Sequence, residues 1–450
     1  MMVMPLSEAA QVLDAKQWGA DVTFRGISTD TRTLSEGNLF VALKGPNFDG
    51  HDHIEQARRH GAVAAAVSRL PNDRIPLLEV RDTRIALGEL AAHWRSRFAI
   101  PLIAVTGSNG KTSVKEMLAS ILRGCGETLV TQGNLNNDIG VPLTLSRLAA
   151  EHEYAVLELG ANHPGEIAYL TDVARPTVGV INNAGPAHLE GFGDVSGVAK
   201  AKGELFERLA LDAVCIINAD DAFAGLWNSM ASSRHTISFG LNAEADVCAK
   251  WTGDISGSDV ELMTPAGTAS LRLALPGRHN VMNALAATAA ALALDIALEN
   301  IVRGLAAVRP VGGRWQVQPG INGAQLIDDT YNANPASLQV ALNLLSKADA
   351  ETWLVLGDMG ELGEEGERLH RKVGEEARQA RVQHLFALGG LAVKAAEAFG
   401  NGAETFADMD GLNARLRELV HAGVIILVKG SRAMRMERVV EALSTGEGGV

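Results

Sequence analysis

Residues 102–118 read LIAVTGSNGKTSVKEML, and this segment carries the strongest structural signal in the chain. The apolar run at 102–105 predicts a buried strand, and the apolar positions after the glycine-containing turn recur at helical spacing. Those positions are Val114, Met117, Leu118, Ile121 and Leu122. A strand, a tight turn and a helix N-terminus together present backbone N–H groups and about half a positive charge to an anion. The segment therefore predicts a phosphate-binding loop.

The turn follows the P-loop pattern with one departure. The standard pattern requires Gly at position 105, where this chain has Val105, but the core Gly-x-x-Gly-Lys-Thr remains. We expect Lys111 to reach the β- and γ-phosphates of ATP and the Thr112 hydroxyl to bind Mg²⁺. The structural alternative is a glycine-rich turn that binds nothing. The predicted ATP-binding residues of the loop are Gly107, Ser108, Asn109, Gly110, Lys111, Thr112 and Ser113.

The rest of the chain alternates apolar strand candidates with helical stretches, which predicts the α/β class. Helices are expected at 83–98 and 197–209, where apolar residues recur at helical spacing. Polar or glycine residues follow most of the strand candidates, as at the carboxyl edge of a parallel sheet. The strand candidates lie at 39–43, 102–105, 154–159, 178–182, 213–218, 324–328, 353–357, 384–389 and 424–430.

The chain has 450 residues, which at about 150 residues per domain predicts about three domains. Pro101 and the segment PVGGR (310–314) are the boundary signals. The predicted domains are an N-terminal α/β domain at 1–98, a central P-loop ATPase domain with a mostly parallel sheet at 99–312, and a C-terminal Rossmann-like domain at 313–450.

Composition excludes some classes of partner. The formal net charge is −13, which argues against general attraction to nucleic acid or to an anionic membrane. The most apolar stretch, 284–297, is too short to span a bilayer and contains Asp295. The N-terminus lacks a basic region followed by an apolar one. Three scattered cysteines fit a reduced cytosol. We therefore expect a cytoplasmic protein that neither inserts in membranes nor binds nucleic acid.

Two residues at the predicted sheet edge are candidate metal ligands. Glu158 ends the strand candidate at 154–159, where P-loop NTPases place a Mg²⁺-binding carboxylate. His188 lies in a polar loop after the strand at 178–182. The structural alternatives are a solvated strand-end glutamate and a structural histidine. Asn182 and Asn183 either orient this site or serve as turn residues.

Lys200 and Lys202 lie on the predicted helix at 197–209. By spacing alone, both read as surface lysines.

The chain resembles the Mur ligases, the ATP-dependent amide ligases of bacterial cell-wall precursor synthesis. The similar segments follow one another over nearly the whole length, and the short TGxNGKT loop is that superfamily's own form, which accounts for Val105. The segments are TGSNGKT (106–112), GNLNNDIGVP (133–142), LELGANHPGEI (157–167), AKGELF (201–206), LPGRHNVMNALAA (275–287), GGRWQV (312–317), DDTYNANPAS (328–337) and KGSRAMRME (429–437).

The resemblance implies roles that spacing does not. Lys202 matches the lysine that is carbamylated in this family, with Lys200 as the alternative. A carbamate would help His188 to hold a second Mg²⁺, and Lys111, His188 and Lys202 would be the catalytic residues. The ATP-binding residues implied outside the loop are His279, Asn280, Asn283, Arg314 and Asp329. The implied substrate-binding residues fall into three groups. Those facing the uridine diphosphate are Ser28, Thr31, Arg32, Asn47, Asp49, Gly50 and His51. Those touching the muramoyl peptide are Asn134, Asn136 and Asn137, and those near the acceptor are Lys429, Ser431 and Arg432. Turn and surface roles remain the alternatives for these asparagines and arginines.

The resemblance also implies a reaction. The segments GNLNNDIGVP, DDTYNANPAS and GDMGELG (357–363) are similar to the family member that joins D-alanyl-D-alanine to UDP-N-acetylmuramoyl-tripeptide. ATP, two Mg²⁺ ions and a carbamylated Lys202 would be its cofactors. A Mur ligase that adds a single amino acid and folylpolyglutamate synthase share this scaffold and are the nearest alternatives. A nucleotide-dependent switch is the alternative from a different class. The third residue of the tripeptide, meso-diaminopimelate or lysine, stays open.

Overall fold

The computed structural model describes residues 1–71, 75–186, 189–310 and 312–445. The chain divides into two compact units. Unit 1 comprises Met1–Lys250, Glu261–Ser270 and Met282–Ala307, and unit 2 comprises Trp251–Val260, Leu271–Val281 and Val308–Val450.

The N-terminal region of unit 1 is an α/β layer. Its sheet has the strand order β2-β7-β6-β5-β4, and β4, β5, β6 and β7 run parallel. A separate antiparallel pair joins β1 to β3. The elements are β1 (Val3–Pro5), α1 (Leu6–Val12), β2 (Lys16–Trp18), β3 (Thr23–Arg25), β4 (Ile27–Ser28), β5 (Leu39–Val41), a 3-10 helix (Gly50–His53), α2 (Ile54–Arg59), β6 (Ala64–Val67), β7 (Leu77–Glu79) and α3 (Thr83–Arg95).

The central region is built on a six-stranded, all-parallel sheet, and a second sheet of three strands is formed by residues 248–273, which are divided between the two units. Its first elements are β8 (Leu102–Thr106), α4 (Lys111–Arg123), β9 (Thr128–Val130), α5 (Gly140–Leu145), β10 (Tyr154–Glu158), α6 (Glu166–Ala174), β11 (Val178–Ile181), α7 (Leu189–Phe192) and α8 (Val195–Arg208). The remainder are β12 (Val214–Asn218), α9 (Ala224–Ala231), β13 (His235–Phe239), β14 (Cys248–Asp254), β15 (Gly257–Thr264), β16 (Gly267–Leu273), α10 (Arg278–Leu292) and α11 (Leu298–Ala307). The parallel sheet has the order β13-β12-β11-β8-β10-β9, so β8 lies near its centre.

The C-terminal region of unit 2 has a six-stranded mixed sheet in the order β17-β18-β22-β19-β20-β21. The strand β17 is antiparallel to β18, and the other pairs are parallel. The elements are β17 (Gln316–Pro319), β18 (Gln325–Asp329), α12 (Pro335–Leu345), β19 (Glu351–Gly357), α13 (Gly366–Gln379), β20 (His384–Leu388), α14 (Ala392–Phe399), β21 (Ala403–Phe406), α15 (Met409–Leu419), β22 (Val424–Lys429) and α16 (Glu437–Leu443). Short 3-10 helices occur at Ile321–Gly323, Gly363–Glu365 and Arg432–Met434.

The apolar face predicted for the helix after the phosphate loop is the buried face of α4. Val114, Met117 and Leu118 are fully buried. At the far end of this helix, Gly304 of α11 approaches so closely that an added Cβ would lie 2.4 Å from the Cα of Ile121. A residue larger than glycine would force the two helices apart.

Side chains from the first hundred residues and from the central sheet belong to one hydrophobic cluster of unit 1. The Trp94 indole donates a hydrogen bond of 3.0 Å to the Leu148 carbonyl. The buried Arg95 guanidinium donates to the carbonyls of Ala174 and Ile100. These bonds fasten α3 to the segments around the parallel sheet. The domain bounds at 98 and 312 remain predictions.

The α/β class and the three-domain architecture are confirmed. Sequence reasoning did not identify the three-stranded sheet of β14, β15 and β16, because β14 and β16 are largely exposed and none of the three strands has a continuous apolar run. Across the described residues, no helix combines the length and apolar character needed to cross a membrane.

Candidate functional site

The phosphate loop spans residues 107–110, between β8 and the first turn of α4. Gly110 has φ 79°, and an added Cβ would lie 2.3 Å from Asn283 Oδ1 and 2.4 Å from Asn182 Nδ2. Only glycine fits both this backbone conformation and this space. The Lys111 ammonium folds back over the turn and donates a hydrogen bond of 2.7 Å to the Gly107 carbonyl. The loop is therefore a tight glycine turn with the Lys111 cation above it.

Two asparagines that follow β11 hold the phosphate loop from the neighbouring strand. Asn182 Nδ2 donates to the Asn109 carbonyl at 2.9 Å and to Asn283 Oδ1 at 2.8 Å. The Asn183 side chain accepts a hydrogen bond from Asn109 N–H and donates one to the Asn109 carbonyl. Ser108 Oγ donates to the Gly185 carbonyl at 3.1 Å. These contacts favour the interpretation that Asn182 and Asn183 orient the site over the alternative that they serve as turn residues.

Glu158 lies at the end of β10 with 3% of its surface exposed. Its Oε2 accepts a hydrogen bond of 2.9 Å from the Thr112 hydroxyl, and its Oε1 accepts one of 2.8 Å from Asn136 Nδ2. The two predicted oxygen ligands of Mg²⁺ are thus in contact, although 46 residues separate them. Oxygen donors of this kind suit a small hard cation. Among the described residues, no group of three or more His, Cys, Asp or Glu side chains forms a metal cluster.

The two candidate lysines on α8 differ in burial. Lys202 is 3% exposed, whereas Lys200 is exposed. Burial disfavours the charged form, and Lys111 adds repulsion; together they lower the pKa of Lys202 to about 7. The surface alternative is therefore wrong for Lys202. His188, predicted to act beside Lys202, lies outside the described residues.

In unit 2, Lys429 is fastened to Asp329. The Lys429 ammonium, 3% exposed, lies 2.6 Å from Asp329 Oδ2 and donates to the Asn332 carbonyl at 2.9 Å. Desolvation is the main cause of a lowered pKa at His279. The charge of Lys429 also lowers this pKa, whereas the charge of Asp329 raises it. Lys429, predicted to lie near the acceptor, thus contacts Asp329, predicted to bind the nucleotide. Asp358 follows β19 at the same carboxyl edge of the sheet. Its carboxylate accepts hydrogen bonds from the N–H groups of Leu391 and Ala392.

The other predicted residues of unit 2 have structural contacts as well. Asn280 Nδ2 donates to the Pro276 carbonyl at 2.9 Å. The Arg314 guanidinium lies 4.3 Å from the centre of the Tyr331 ring, a cation–π distance. Ser431 N–H donates to the Asp358 carbonyl, and Arg432 pairs with Glu437 at 3.1 Å.

The predicted residues for the uridine diphosphate lie at and beyond the carboxyl ends of β4 and β5. Ser28 Oγ donates to the Asp30 carbonyl at 2.9 Å, and Arg32 pairs with the Asp30 carboxylate. Hydrogen bonds from Arg32 hold the pKa of Asp30 at about 2. Thr31, which lies between Asp30 and Arg32 in the sequence, is half-buried. Such an edge of a parallel sheet is a common ligand-binding position.

The loop after β5 is held by a buried histidine. His51 Nδ1 lies 2.6 Å from Asp49 Oδ1, and His51 Nε2 accepts the Ser68 N–H at 2.9 Å. At Gly50 an added Cβ would lie 2.8 Å from the Leu43 carbonyl oxygen, so the loop returns closely onto β5. Asn47 is exposed. His51 and Asp49 therefore shape this loop.

The three asparagines predicted for the muramoyl peptide have different contacts. Asn136 binds Glu158, and Asn137 Oδ1 accepts hydrogen bonds from Ile139 N–H and Gly140 N–H before α5. Asn134 is exposed. The structure supports a turn role for Asn137 and leaves Asn134 open to solvent.

The predicted ATP-binding residues are shared between the units. Residues 107–113 and Asn283 belong to unit 1, whereas His279, Asn280, Arg314 and Asp329 belong to unit 2. The site assignments as a whole remain predictions.

Three family models match consecutive parts of the chain. They are the Mur ligase family catalytic domain at residues 23–95, the Mur ligase middle domain at 105–291, and the Mur ligase glutamate ligase domain at 313–432.

Named proteins and solved structures are similar over nearly the full length. UDP-N-acetylmuramoyl-tripeptide--D-alanyl-D-alanine ligase of Escherichia coli K12 is 46% identical over 448 residues, covering 98% of this chain and 99% of that protein. A crystal structure of MurF from Acinetobacter baumannii is 36% identical, covers 98% of this chain and 99% of its own, and has a TM-score of 0.91. MurF ligase from Thermotoga maritima, solved in complex with ADP, is 29% identical, covers 93% of this chain and 96% of its own, and has a TM-score of 0.83.

Proposed function

Since this chain belongs to the Mur ligase family, we propose that it joins D-alanyl-D-alanine to UDP-N-acetylmuramoyl-tripeptide in peptidoglycan synthesis, with ATP as the energy source. The observation that carries this proposal is the 46% identity to an enzyme of that name over 98% of the chain. The glycine turn under Lys111 supports the ATP requirement, as does the ADP complex of a relative. The expected place of action is the cytoplasm, where the nucleotide-linked precursors are made.

The chemistry needs activation, because a carboxylate is a poor acylating agent. The terminal carboxylate of the tripeptide attacks the γ-phosphorus of ATP, and the bond from that phosphorus to the β-phosphate oxygen breaks. The products of this step are an acyl phosphate and ADP. The amine of D-alanyl-D-alanine then attacks the acyl carbon, a proton leaves the nitrogen, and inorganic phosphate departs.

Lys111 and the N–H groups at the start of α4 would stabilise the negative charge that spreads over the transferring phosphoryl group. The need is large, because two like unit charges 4 Å apart repel by about 4 kcal/mol at an effective dielectric constant of 20. Bound Mg²⁺ would supply further positive charge that offsets this repulsion. Thr112 and Glu158 are the residues of this chain that would hold it, and their contact of 2.9 Å supports that role.

A carbamate on Lys202 is the finer part of the proposal. The neutral amine reacts with carbon dioxide, forms an N–C bond and releases one proton, which converts the side chain into an anion. The burial of Lys202 and its lowered pKa support this, since both increase the share of neutral amine near neutral pH. The anion would then serve, with His188, as a ligand of a second Mg²⁺.

The deciding experiment is an acceptor-dependent assay of ADP release. Purified protein is mixed with ATP, Mg²⁺ and UDP-N-acetylmuramoyl-tripeptide, and D-alanyl-D-alanine or single amino acids are then added. We expect release to require the dipeptide and the nucleotide product to gain the matching mass. The tripeptide carrying meso-diaminopimelate and the one carrying lysine are compared in parallel. Lys111→Ala is the control, and its ADP release should fall to background.

Other outcomes assign other functions. Release that requires a single amino acid identifies a different Mur-type ligase or a folylpolyglutamate synthase-like activity. Phosphate release without a new amide identifies a nucleotide-dependent switch. Either result contradicts the proposed reaction.

A further inference from the structure

Lys115 is a buried cation that has no role in the proposed ligase reaction. It lies on α4, one turn after Lys111, and its side chain is 2% exposed. Its ammonium pairs with Glu116 Oε1 at 2.7 Å and donates a hydrogen bond of 3.0 Å to the Thr131 carbonyl. Taking an ammonium out of water is costly unless it is paired and hydrogen-bonded. These two contacts are therefore the ones that decide what Lys115 does.

Thr131 connects Lys115 to the strand that carries Glu158. It follows β9, the edge strand of the central sheet, and is 2% exposed. Its hydroxyl accepts the Glu158 N–H at 3.0 Å, and its own N–H donates to the Val156 carbonyl at 3.1 Å. Any shift of Thr131 is thus transmitted to the backbone at Glu158.

The loop that begins at Thr131 returns to the same glutamate. Asn136 Nδ2 donates to Glu158 Oε1, and the Asn136 carbonyl accepts the Gly160 N–H at 2.8 Å. An added Cβ at Gly160 would lie 2.9 Å from Asn136 Oδ1, which shows how closely the loop packs here. Residues 131–137 are therefore attached to Glu158 at the backbone through Thr131 and at the carboxylate through Asn136.

We propose that Lys115 is a positioning residue, which holds the loop 131–137 and the Glu158 carboxylate in place through the Thr131 carbonyl. In this arrangement α4 reaches Glu158 twice, directly through Thr112 and indirectly through Lys115 and Thr131. The helix α4, which begins at the phosphate loop, thereby orients the Glu158 carboxylate. The kinetic part of this inference rests on the proposed function.

The rival explanation is that Lys115 only balances the charge of Glu116. The two explanations are separated by a pair of substitutions. Lys115→Met keeps most of the length of the side chain and removes the hydrogen bond to Thr131. Glu116→Gln removes the ion pair and leaves that hydrogen bond intact. Lys250→Met, at a lysine whose side chain is 77% exposed, is the matched control for loss of a positive charge.

The first measurement is hydrogen–deuterium exchange of peptides covering 131–137 in the protein without ligands. Lys115→Met should exchange these amides about 10-fold faster than the wild type, whereas Glu116→Gln and Lys250→Met should match it. This readout does not depend on any enzymatic activity. Unchanged exchange in Lys115→Met, or equal acceleration in Glu116→Gln, overturns the proposal.

The second measurement is steady-state kinetics. In Lys115→Met, the KM for the muramoyl tripeptide and the Mg²⁺ concentration for half-maximal rate should rise about 10-fold, as when groups that orient a metal ligand are removed. The KM for ATP should change less, because the turn at 107–110 keeps its own contacts. Equal losses for both substrates contradict the proposal. If Lys115→Met does not fold, Lys115→Leu, which also lacks a donor, carries the same comparisons. An inactive wild type refutes the proposed reaction and leaves the exchange result standing.

Discussion

At the scale of the residue, the decisive property is the environment of a side chain and not its type. Lys200 and Lys202 are two positions apart on one helix, yet only Lys202 is buried. Its pKa of about 7 follows from desolvation and from repulsion by Lys111. Near neutral pH, Lys202 can therefore be a nucleophile towards carbon dioxide, while an exposed lysine stays protonated.

We predict that Lys202→Ala lowers the ligase rate by about 10–100-fold, the range for losing a group that shapes a metal site. Short-chain carboxylic acids should restore part of the rate, because they supply the missing anion. Lys200→Ala is the control and should retain wild-type activity. Steady-state assays with and without added acetate or propionate measure both. A Lys202→Ala variant that is neither impaired nor rescued removes the carbamate from the mechanism.

The same pKa predicts a pH dependence with a definite sign. Below pH 7 the ammonium form of Lys202 dominates and cannot react with carbon dioxide, and above pH 7 the neutral amine dominates. The stimulation of wild-type activity by added bicarbonate at limiting carbon dioxide should therefore be greater at pH 8 than at pH 6. Lys202→Ala rescued by acetate should show no stimulation by bicarbonate at either pH. Equal stimulation at both pH values would contradict this assignment.

At the scale of the element, motif residues also build the local fold. Asn334 belongs to the segment DDTYNANPAS, and its side chain accepts the Ser337 N–H at 2.8 Å at the start of α12. Ser337 Oγ completes the capping box with the Asn334 N–H, and Pro335 occupies the first turn. This motif asparagine thus supports the helix that follows β18.

We predict that Asn334→Ala lowers the free energy of unfolding of this region by about 1 kcal/mol, because it removes an N-cap. Asn343→Ala, at an exposed position of the same helix, is the matched control and should not destabilise, since alanine favours the helix. Urea unfolding followed by circular dichroism measures both variants. Equal stability of Asn334→Ala and wild type would show that the cap is dispensable.

At the scale of the whole molecule, some of the residues predicted to bind ATP belong to one compact unit and some to the other. The acyl phosphate hydrolyses in water, so an enzyme of this kind has to exclude solvent before the chemistry begins. Binding of nucleotide and muramoyl tripeptide should therefore couple the two units.

We predict that a non-hydrolysable ATP analogue with Mg²⁺ and the muramoyl tripeptide changes the small-angle scattering profile and raises the thermal midpoint. At a ligand concentration 100 times the Kd, binding adds about 2.7 kcal/mol of stability. Lys111→Ala, which lacks the phosphate-loop cation, should show neither effect at the same analogue concentration. Identical profiles for the wild type with and without saturating ligand would count against coupled units.

From the sequence alone we predict the phosphate loop, most of the buried parallel strands and the family. These depend on local patterns, namely a glycine turn between a strand and an amphipathic helix, apolar runs, and ordered motifs. Such patterns need no knowledge of distant parts of the chain. Exposed strands such as β14 carry no comparable pattern and were missed.

Which polar residues meet became visible in the three-dimensional structure. Thr112 reaches Glu158 across 46 positions, Lys429 reaches Asp329 across 100, and Lys115 contacts Thr131. The spacing of charged residues along a helix does not reveal that Lys202 and Lys115 are buried and Lys200 is not. The physical reason is that burial and pairing of a charge depend on what the rest of the chain packs against it, and long-range packing sets that environment.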